Sequence, residues 1–527
     1  MEIHFRNCRV HTMNRDRPIA TSFAVAGNRI GPVGTDPDSR SVDLGGRTVI
    51  PGIIDSHTHF VSYCTDVLSG IDLGPACSLD EALQILSESR CEDSEGDEWI
   101  RGGGWDKNAW PGDAFPNRLD LDAVIPDRPV ALYSRDCHAL WLNSAALNTL
   151  GIGPETQSPP GGSILRDRGG EPTGILLDSA LDTARAAIPQ PTDDVVKSAV
   201  CAGSSVALSQ GITGLVSCEG ALAFRVLSSM ARHGRFDLRT WITLPEDALD
   251  AATTIGITGG LGNDHFRILG LKVMLDGSLG SQTAYMDDPY AGASDTDYRG
   301  LLLHDSEQLQ SLVTQAAALD LPAVIHAIGD SACEMAISAL EALGRPDLRH
   351  RIEHAQLLRD DHPGRLYRGR IIASVQPSHL GDDIALMRRH WGERAQRAYA
   401  LGSMMEAGVS LAMGSDVPVA TMNPLLGMAH AAFRPDGRGG TWYPKQAISL
   451  YEALRGYTAG SAFAVGAEGR LGTLAPGSLA DFVVLDRDPL EANSPEELLA
   501  CRVDSTWVDG REVYRCEGPG LLGHRGS

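Results

Sequence analysis

The sequence lacks the features of a secreted, disulfide-bonded or membrane protein. Its ten cysteines form no C-x-x-C pair, which argues against a disulfide framework or a structural zinc knuckle and favours reduced thiols. No uninterrupted apolar stretch reaches about 18 residues, so we predict no membrane-spanning helix. The segment from Met1 to Asn7 carries charges where a secretory signal needs an apolar core. We therefore expect a cytoplasmic protein.

Positive charge is also scarce. The chain has 45 lysines and arginines against 68 aspartates and glutamates, a formal net charge of −23. Such a surface repels phosphate backbones and anionic headgroups, so we expect a small-molecule substrate and neither nucleic acid nor membrane as partner. The sequence does not fix the oligomeric state. An isologous homodimer is the default expectation because such dimers are the commonest oligomers.

What the sequence does contain is the composition of a large globular protein. Hydrophobic residues make up 43% and charged residues 21% of its 527 residues. A chain of this length is too long to fold around one ordinary hydrophobic core, so we expect two or three structural units.

The two chain ends have the patterns of short strands and turns. Phe23–Ala26, Gly27-Asn28 and Arg29-Ile30 predict one hairpin, and Ser505–Val508, Asp509-Gly510 and Arg511–Tyr514 predict another. Neither end has enough strands for a stable sheet with a buried face. We therefore predict one small β-sandwich domain built from residues 1–51 and 469–527.

Strand-like and helix-like segments alternate between these ends. Candidate helices include Ser331–Leu343 and Gln396–Ala407. With the apolar run Val49–Ile54, the candidate strands number eight, the others being Thr213–Val216, Leu238–Leu244, Ile268–Leu275, Ala323–His326, Ile352–His354, Ile371–Gln376 and Ser410–Met413. Eight such units fit a (β/α)8 TIM-like barrel of residues 52–64 and 196–468. No G-x-G-x-x-G follows a strand, which weakens a Rossmann alternative.

Residues 65–195 do not follow the alternation. We predict an insertion after the first barrel strand, near the active-site mouth, because loops that follow barrel strands lie on that face. Within it, the run Gly102-Gly103-Gly104 predicts a turn rather than a phosphate-binding loop.

The tripeptide His57-Thr58-His59 follows the first barrel strand. Side chains of a strand alternate, so the two imidazoles point to the same side. Two neutral imidazoles at a strand end suit a divalent transition metal. The alternative is a pair of polar residues that merely ends a core strand.

Four further polar residues occupy later strand ends, namely Lys272, His326, His354 and Asp416. Each has an ordinary explanation alone: a hydrogen-bonded core histidine, a turn, or a buried ion pair for Lys272. Their joint occurrence in barrel order points instead to the catalytic face of a barrel.

In this order the residues resemble the amidohydrolase superfamily, and the wider motifs resemble its YtcJ-like branch, which includes the N-substituted formamide deformylases. The similarity covers nearly the whole chain. Its motifs are Pro51–Phe60, Ser134–Trp141, Asp276–Ser281, His326–Asp330, Ser374–His379, Gly414–Val419 and Gly472–Asp481.

The resemblance implies a metal centre. One metal would be held by His57, His59 and Asp416, and a second by His326 and His354. Lys272 would bridge the two as a carbamate, which turns a costly buried cation into an oxygen ligand. The alternative is a single metal with Lys272 in an ion pair. Zinc is the default for one or two ions in such a nitrogen and oxygen set, with another divalent metal as the alternative where availability favours it.

The resemblance also implies hydrolysis of a non-peptide C–N (amide) bond, with an N-substituted formamide as leading candidate. Asp416 would shuttle a proton from water to the leaving nitrogen. His379 and His138 would contact the substrate or stabilise the oxyanion, or be structural. Cyclic-amide opening, deamination and ester hydrolysis remain alternatives. A non-catalytic barrel used as a binding module is a further one, against which the full set of six residues counts.

Aromatic residues offer a hint about specificity. Trp105, Trp110 and Trp141 of the insertion, with Tyr285, belong either to a core or to an apolar wall at the mouth. A wall would favour an apolar N-substituent.

Overall fold

An eight-stranded parallel sheet forms the centre of the molecule and confirms the predicted barrel. The computed structural model describes residues 2–34, 41–67, 70–89, 99–112, 114–189, 191–291 and 297–516. Each barrel strand pairs with the next one along the chain. In order they are Ile53–Thr58, Ile212–Ser217, Arg239–Leu244, Phe266–Met274, Ala323–Ala327, Arg351–His354, Ile372–Val375 and Leu411–Met413.

The end of the eighth strand lies against the first strand. The Asp416 amide donates a hydrogen bond to the His57 carbonyl at 2.8 Å, and the His59 amide donates to the Val417 carbonyl at 2.8 Å. A Cβ atom on Gly414 would lie 2.5 Å from the His57 nitrogen, so only glycine permits this approach. The junction brings the loop after the last strand next to both histidines of the first.

Helices surround the barrel strands, as expected for crossover connections. Asp305 begins one of them, because its carboxylate accepts from the amides of Glu307 and Gln308. The α-helices of the barrel region are Phe60–Ser62, Asp193–Ser209, Ala221–Arg232, Leu249–Ile255, Ser306–Ala318, Asp330–Leu343, His362–Gly369, Leu380–His390, Leu401–Ala407, Pro424–Ala432, Leu450–Arg455 and Ser461–Ala464.

The helix predicted over 396–407 exists only in its second half. Gly392–Arg397 forms a separate 3-10 helix, and Tyr399 has a left-handed φ of 49° that interrupts helical geometry. In the described residues, no helix combines the length and the apolar character needed to cross a bilayer.

Strands from both chain ends form one seven-stranded sheet. Both predicted hairpins are present, with Ala26 paired to Arg29 and Val508 paired to Arg511. The strand order across the sheet is Arg511–Arg515, Val503–Val508, Phe482–Leu485, Ser41–Pro51, Glu2–His11, Ile19–Ala26 and Arg29–Val33. The short helix Pro495–Leu499 precedes Val503.

This terminal sheet is curled on itself. The rings of Phe5 and Trp507 are 5.4 Å apart, although their strands are three positions apart in the sheet. In a flat sheet that separation would be about 14 Å. The predicted β-sandwich built from both chain ends is confirmed, and its core lies between two halves of one continuous sheet. The residue limits assigned to the domains stay a prediction.

The apolar run Val49–Ile54 is divided between two sheets. Its first part belongs to Ser41–Pro51 and its second to Ile53–Thr58. Gly52 lies at the division and donates its amide hydrogen to the Asp481 carbonyl at 2.9 Å. A Cβ here would lie 2.3 Å from Thr213 Oγ1, so the close passage of the chain requires glycine.

The inserted residues between the first and second barrel strands form a separate sheet with its own helices. The helices of the insertion are Leu79–Ser89, Arg118–Asp122, Ser144–Leu150 and Ala180–Ala187. Its six strands, in spatial order, are Gly162–Arg166, Pro172–Asp178, Ala139–Leu142, Val130–Ser134, Ile100–Trp105 and Ile71–Asp72.

One expectation about this region is wrong. The glycine run predicted as a turn lies inside the strand Ile100–Trp105, where a Cβ on Gly102 would meet the Ile71 carbonyl at 2.1 Å. The glycines therefore allow a close strand approach. Of the two alternatives for the tryptophans, the structure shows the core: Trp105, Trp110 and Trp141 are buried against this sheet, with ring centroids 6.1 to 6.3 Å apart.

Candidate metal centre

His57, His59 and Asp416 converge at the junction of the first and eighth barrel strands. The Nε2 atoms of both histidines lie 3.3 Å from Asp416 Oδ1. His57 is buried in the first strand, and His59 follows that strand with a partly exposed side chain. The backbone hydrogen bonds that close the barrel hold Asp416 between them.

The donor atoms of this group suit a divalent metal ion. His57 Nε2 and Asp416 Oδ1 are buried and have no hydrogen-bond partner in the described part of the chain. Buried polar atoms without partners are costly, and coordination to a cation would remove that cost. Ligand atoms about 2.0–2.1 Å from a tetrahedral zinc ion are about 3.3 Å from one another. The observed spacing meets that requirement.

Glu353 fixes the orientation of His57. The Nδ1–H of His57 donates to the Glu353 carboxylate, which leaves Nε2 free to face Asp416. Arg351 contacts the same carboxylate, and all three side chains are fully buried. Burial opposes ionisation of Glu353, but Arg351 and His57 hold its pKa well below the usual range. Burial lowers the pKa of His57 to about 4, so its ring is neutral, as a metal ligand must be.

Asp416 is held as an anion. Burial opposes its charge, but His57, His59 and His354 hold the pKa of the carboxyl well below its ordinary value. Asp416 has a φ of 60° and His354 a φ of 70°. Left-handed backbone at non-glycine residues is strained and concentrates at functional sites.

His326 and His354 extend the cluster away from Asp416. Their ring centroids are 4.5 Å apart, and that of His354 is 5.2 Å from that of His57. Burial lowers the pKa of both His326 and His354 well below the ordinary value, so the rings are neutral. The Nε2–H of His326 donates to the Gly277 carbonyl at 3.1 Å, which leaves Nδ1 as the free ligand atom.

Lys272 faces the same space. It is 7% exposed and lines one cavity together with His326 and His354. Within the described ranges it forms no ion pair with a carboxylate, which argues against the ion-pair alternative.

His379 lies behind the cluster rather than in the cavity. Its Nε2–H donates to the Ser415 carbonyl at 3.1 Å and lies 3.8 Å from Asp416 Oδ2. It is not among the described residues that line the cavity. The contacts of His379 therefore support the loop that carries Asp416.

The cavity over this cluster has a volume of about 1520 Å³. Residues of the insertion form one wall, including Tyr133, His138 and Arg185. None of the four aromatic residues considered for the mouth is among the described lining residues, so the alternative of an aromatic wall does not apply. An apolar part of the lining comes instead from Leu181, Ala186, Ile188, Val206, Leu222 and Met422.

Two of the supporting residues carried no recognisable signal in the sequence. Glu353 was visible only as the residue before His354. Asp55 Oδ1 accepts from the amides of His57 at 3.2 Å and Ser415 at 2.9 Å, and so ties the first strand to the loop after the eighth. Partners so distant in the chain become apparent only in the folded barrel.

The closed parallel barrel, with histidines, a lysine and an aspartate at the ends of its strands, defines a metal-dependent hydrolase. The chain belongs to the amidohydrolase family, whose family model matches residues 40–514.

Relatives match over nearly the whole chain. The putative amidohydrolase YtcJ of Bacillus subtilis is 31% identical over 91% of this chain and 91% of its own length. The N-substituted formamide deformylase of Arthrobacter pascens is 29% identical over 98% of each chain. An uncharacterized metal-dependent hydrolase from Pyrococcus horikoshii superposes with a TM-score of 0.77 at 28% identity, covering 93% of this chain and 99% of that one. These matches agree with the resemblance found in the sequence motifs.

Proposed function

We propose that this protein hydrolyses a non-peptide amide bond, with an N-substituted formamide as the leading substrate class. The observation that carries the proposal is the pair of buried, unpartnered atoms, His57 Nε2 and Asp416 Oδ1, at ligand spacing beneath a large cavity. The similarity to an N-substituted formamide deformylase over almost the full chain supports formyl as the acyl group of the substrate.

Six residues would hold the metal. His57, His59 and Asp416 would bind one ion, and His326 and His354 a second. Lys272, carried as a carbamate, would supply oxygen ligands to both. Neutral rings and an ionised carboxylate suit zinc, the proposed metal. A divalent ion there supplies Lewis acidity, which acidifies a water molecule and polarises a carbonyl group.

Asp416 would carry the proton through the reaction. It accepts a proton from the attacking water and delivers it to the nitrogen when the C–N bond breaks. Without that proton the leaving group would be an amide anion, which is very unstable in water. Asp416 lies within 3.3 Å of both His57 and His59, and His379 and Asp55 support its loop. His379 would act as a positioning residue.

The cavity supports a sizeable substituent on the substrate nitrogen. Its volume of about 1520 Å³ far exceeds that of a formyl group. Apolar residues of the lining, among them Leu181, Ile188 and Leu222, would contact an apolar substituent.

The test of the function is a substrate screen with zinc-loaded protein. N-formyl amines, N-acyl amino acids, hydantoins, amines open to deamination, and lactones are scored for release of acid, amine or ammonia. We expect the highest kcat/KM for an N-formyl amine with an apolar substituent. Preferred turnover of hydantoins, deaminated amines or lactones would replace amide hydrolysis by one of the alternative reactions. No turnover in any class would favour a binding module.

Metal removal should abolish the activity. We expect one to two zinc equivalents in the purified protein by elemental analysis, and loss of turnover after chelation. Zinc added back together with bicarbonate should restore activity faster than zinc alone, because the Lys272 carbamate must form again. Equal recovery without bicarbonate in carbon-dioxide-free buffer would contradict the carbamate. A folded, fully active metal-free protein would contradict the metal centre.

A further inference from the structure

The loop after the fourth barrel strand lies directly against His326. This loop, residues 276–284, follows the strand Phe266–Met274. The Gly277 carbonyl accepts the Nε2–H of His326 at 3.1 Å, and Asp276 Oδ1 lies 3.5 Å from the same nitrogen. The direction in which His326 Nδ1 points therefore depends on where the loop holds the Gly277 carbonyl.

Asp276 fixes one end of the loop to the barrel. Its carboxylate accepts from the amides of Tyr285 at 2.9 Å, Ile328 at 3.0 Å and Gly329 at 2.8 Å. Asp276 is fully buried. Ile328 and Gly329 follow the fifth barrel strand, which carries His326. The barrel itself therefore holds this end of the loop.

The middle of the loop is held by the insertion. Asp136 Oδ2 accepts hydrogen bonds from Ser278 Oγ and Ser281 Oγ, each at 2.7 Å. Both serines are buried, so bulk water cannot take the place of the carboxylate. A Cβ on Gly280 would lie 2.8 Å from Asp136 Oδ2, so the loop passes close to this oxygen. Asp136 thus joins the insertion to the loop at two hydroxyl groups.

Asp136 is itself fixed within the insertion. Its Oδ1 accepts from Ser134 Oγ at 2.5 Å and from the His138 amide at 3.2 Å. With the two serines of the loop, the carboxylate accepts four hydrogen bonds, which fill both of its oxygens. Asn108, a second residue of the insertion, donates from Nδ2 to the Gly280 carbonyl at 3.3 Å. The insertion therefore offers the loop a rigid point of attachment.

The residue bound to Asp136 and the carbonyl bound to His326 belong to one tight turn. The Gly277 amide donates to the Thr283 carbonyl at 3.2 Å, and the Ser278 amide donates to Thr283 Oγ1 at 3.0 Å. The Ser281 amide donates to Ser278 Oγ at 3.1 Å. A displacement of Ser278 would therefore move the adjoining Gly277 carbonyl and, with it, the ring of His326.

We infer that Asp136 is a positioning residue for His326, and that through it the insertion takes part in building the metal centre. This inference rests on the proposed second metal ion. Asp136 keeps the turn in place, the Gly277 carbonyl keeps the ring hydrogen on Nε2, and Nδ1 stays directed at the metal. Loss of the contact should weaken the second metal site and leave the first unchanged.

The test is a zinc titration of the purified protein in bicarbonate buffer, against a chromogenic chelator that resolves two binding constants. We expect Asp136→Ala to weaken binding of the second zinc ion about 10- to 100-fold, as for other residues that orient a metal ligand. Ser278→Ala and Ser281→Ala, made together, remove the same contact from the barrel side and should have the same effect. Adding Asp136→Ala to this pair should cause little further loss, because the contact is already gone.

The matched control is Arg135→Met. Arg135 also joins the insertion to the barrel, because its Nη2 donates to Asp382 Oδ2 at 2.6 Å. That ion pair does not involve the loop, and its side chains are 40% and 56% exposed, so both zinc affinities should stay at the wild-type value. Asp136→Asn can still exchange hydrogen bonds with the two hydroxyls. It should have an intermediate effect and covers the case in which the alanine variant does not fold.

Two outcomes would overturn the inference while the metal centre stands. If the Asp136 and serine variants bind both zinc ions like the wild-type protein, the contact does not position His326. If they weaken both sites equally, the contact acts on folding as a whole. If the wild-type protein binds only one zinc ion, the proposed second site fails, and the inference fails with it.

Discussion

Asp416→Asn is expected to lower kcat by about 10⁴-fold, the upper range for loss of general acid–base catalysis. Asparagine keeps the shape of the side chain but carries no charge and cannot hold the transferred proton. The loss should exceed that of any other single substitution, because Asp416 would serve both as metal ligand and as proton carrier. Initial rates measured at fixed zinc occupancy separate the two effects.

The control for this substitution is Asp247→Asn, an exposed aspartate on the rim of the same cavity. It should leave kcat within about twofold, as expected for a change away from the chemistry. Circular dichroism should show both variants folded. If Asp416→Asn binds zinc and turns over normally, Asp416 does not carry the proton.

Glu353→Gln is expected to destabilise the protein by about 3–5 kcal/mol. Arg351 is fully buried, and without the Glu353 carboxylate its guanidinium would be an uncompensated charge in the barrel interior. The same change should weaken zinc binding about 10- to 100-fold, since His57 would lose the anion that fixes its tautomer. Urea unfolding and competition with a chelator measure the two effects.

A double variant tests the cause of this loss. Adding Arg351→Met to Glu353→Gln removes the buried guanidinium that has lost its carboxylate partner. Most of the lost stability should therefore return, while zinc affinity stays low. Equal instability of the single and double variants would show that packing, and not the unpaired charge, accounts for the effect.

Motifs with local causes were predictable from the sequence. Asp509-Gly510 forms a hairpin turn because both residues adopt the left-handed conformation that this dipeptide tolerates, with φ of 51° and 68°. The barrel strands followed from apolar runs that alternate with helical patterns. His57, Lys272 and His326 were recognisable because each polar residue interrupts or ends such a run.

Features that depend on distant neighbours were not predictable. The glycines 102–104 lie in a strand because Ile71 passes against them. The helix predicted over 396–407 is interrupted at Tyr399, whose amide donates to the Gln356 carbonyl at 2.8 Å. Local patterns carry no information about such contacts.

By itself, the sequence determined the chemical types of the site residues, their order along the chain and the barrel that would bring strand ends together. Only the tertiary structure decided that Glu353 orients His57, that His379 lies behind Asp416, and that Asp136 joins the insertion to the loop beside His326. The physical reason is that strand order follows from a repeating local pattern. Hydrogen bonds between residues tens or hundreds of positions apart exist only once the barrel has closed.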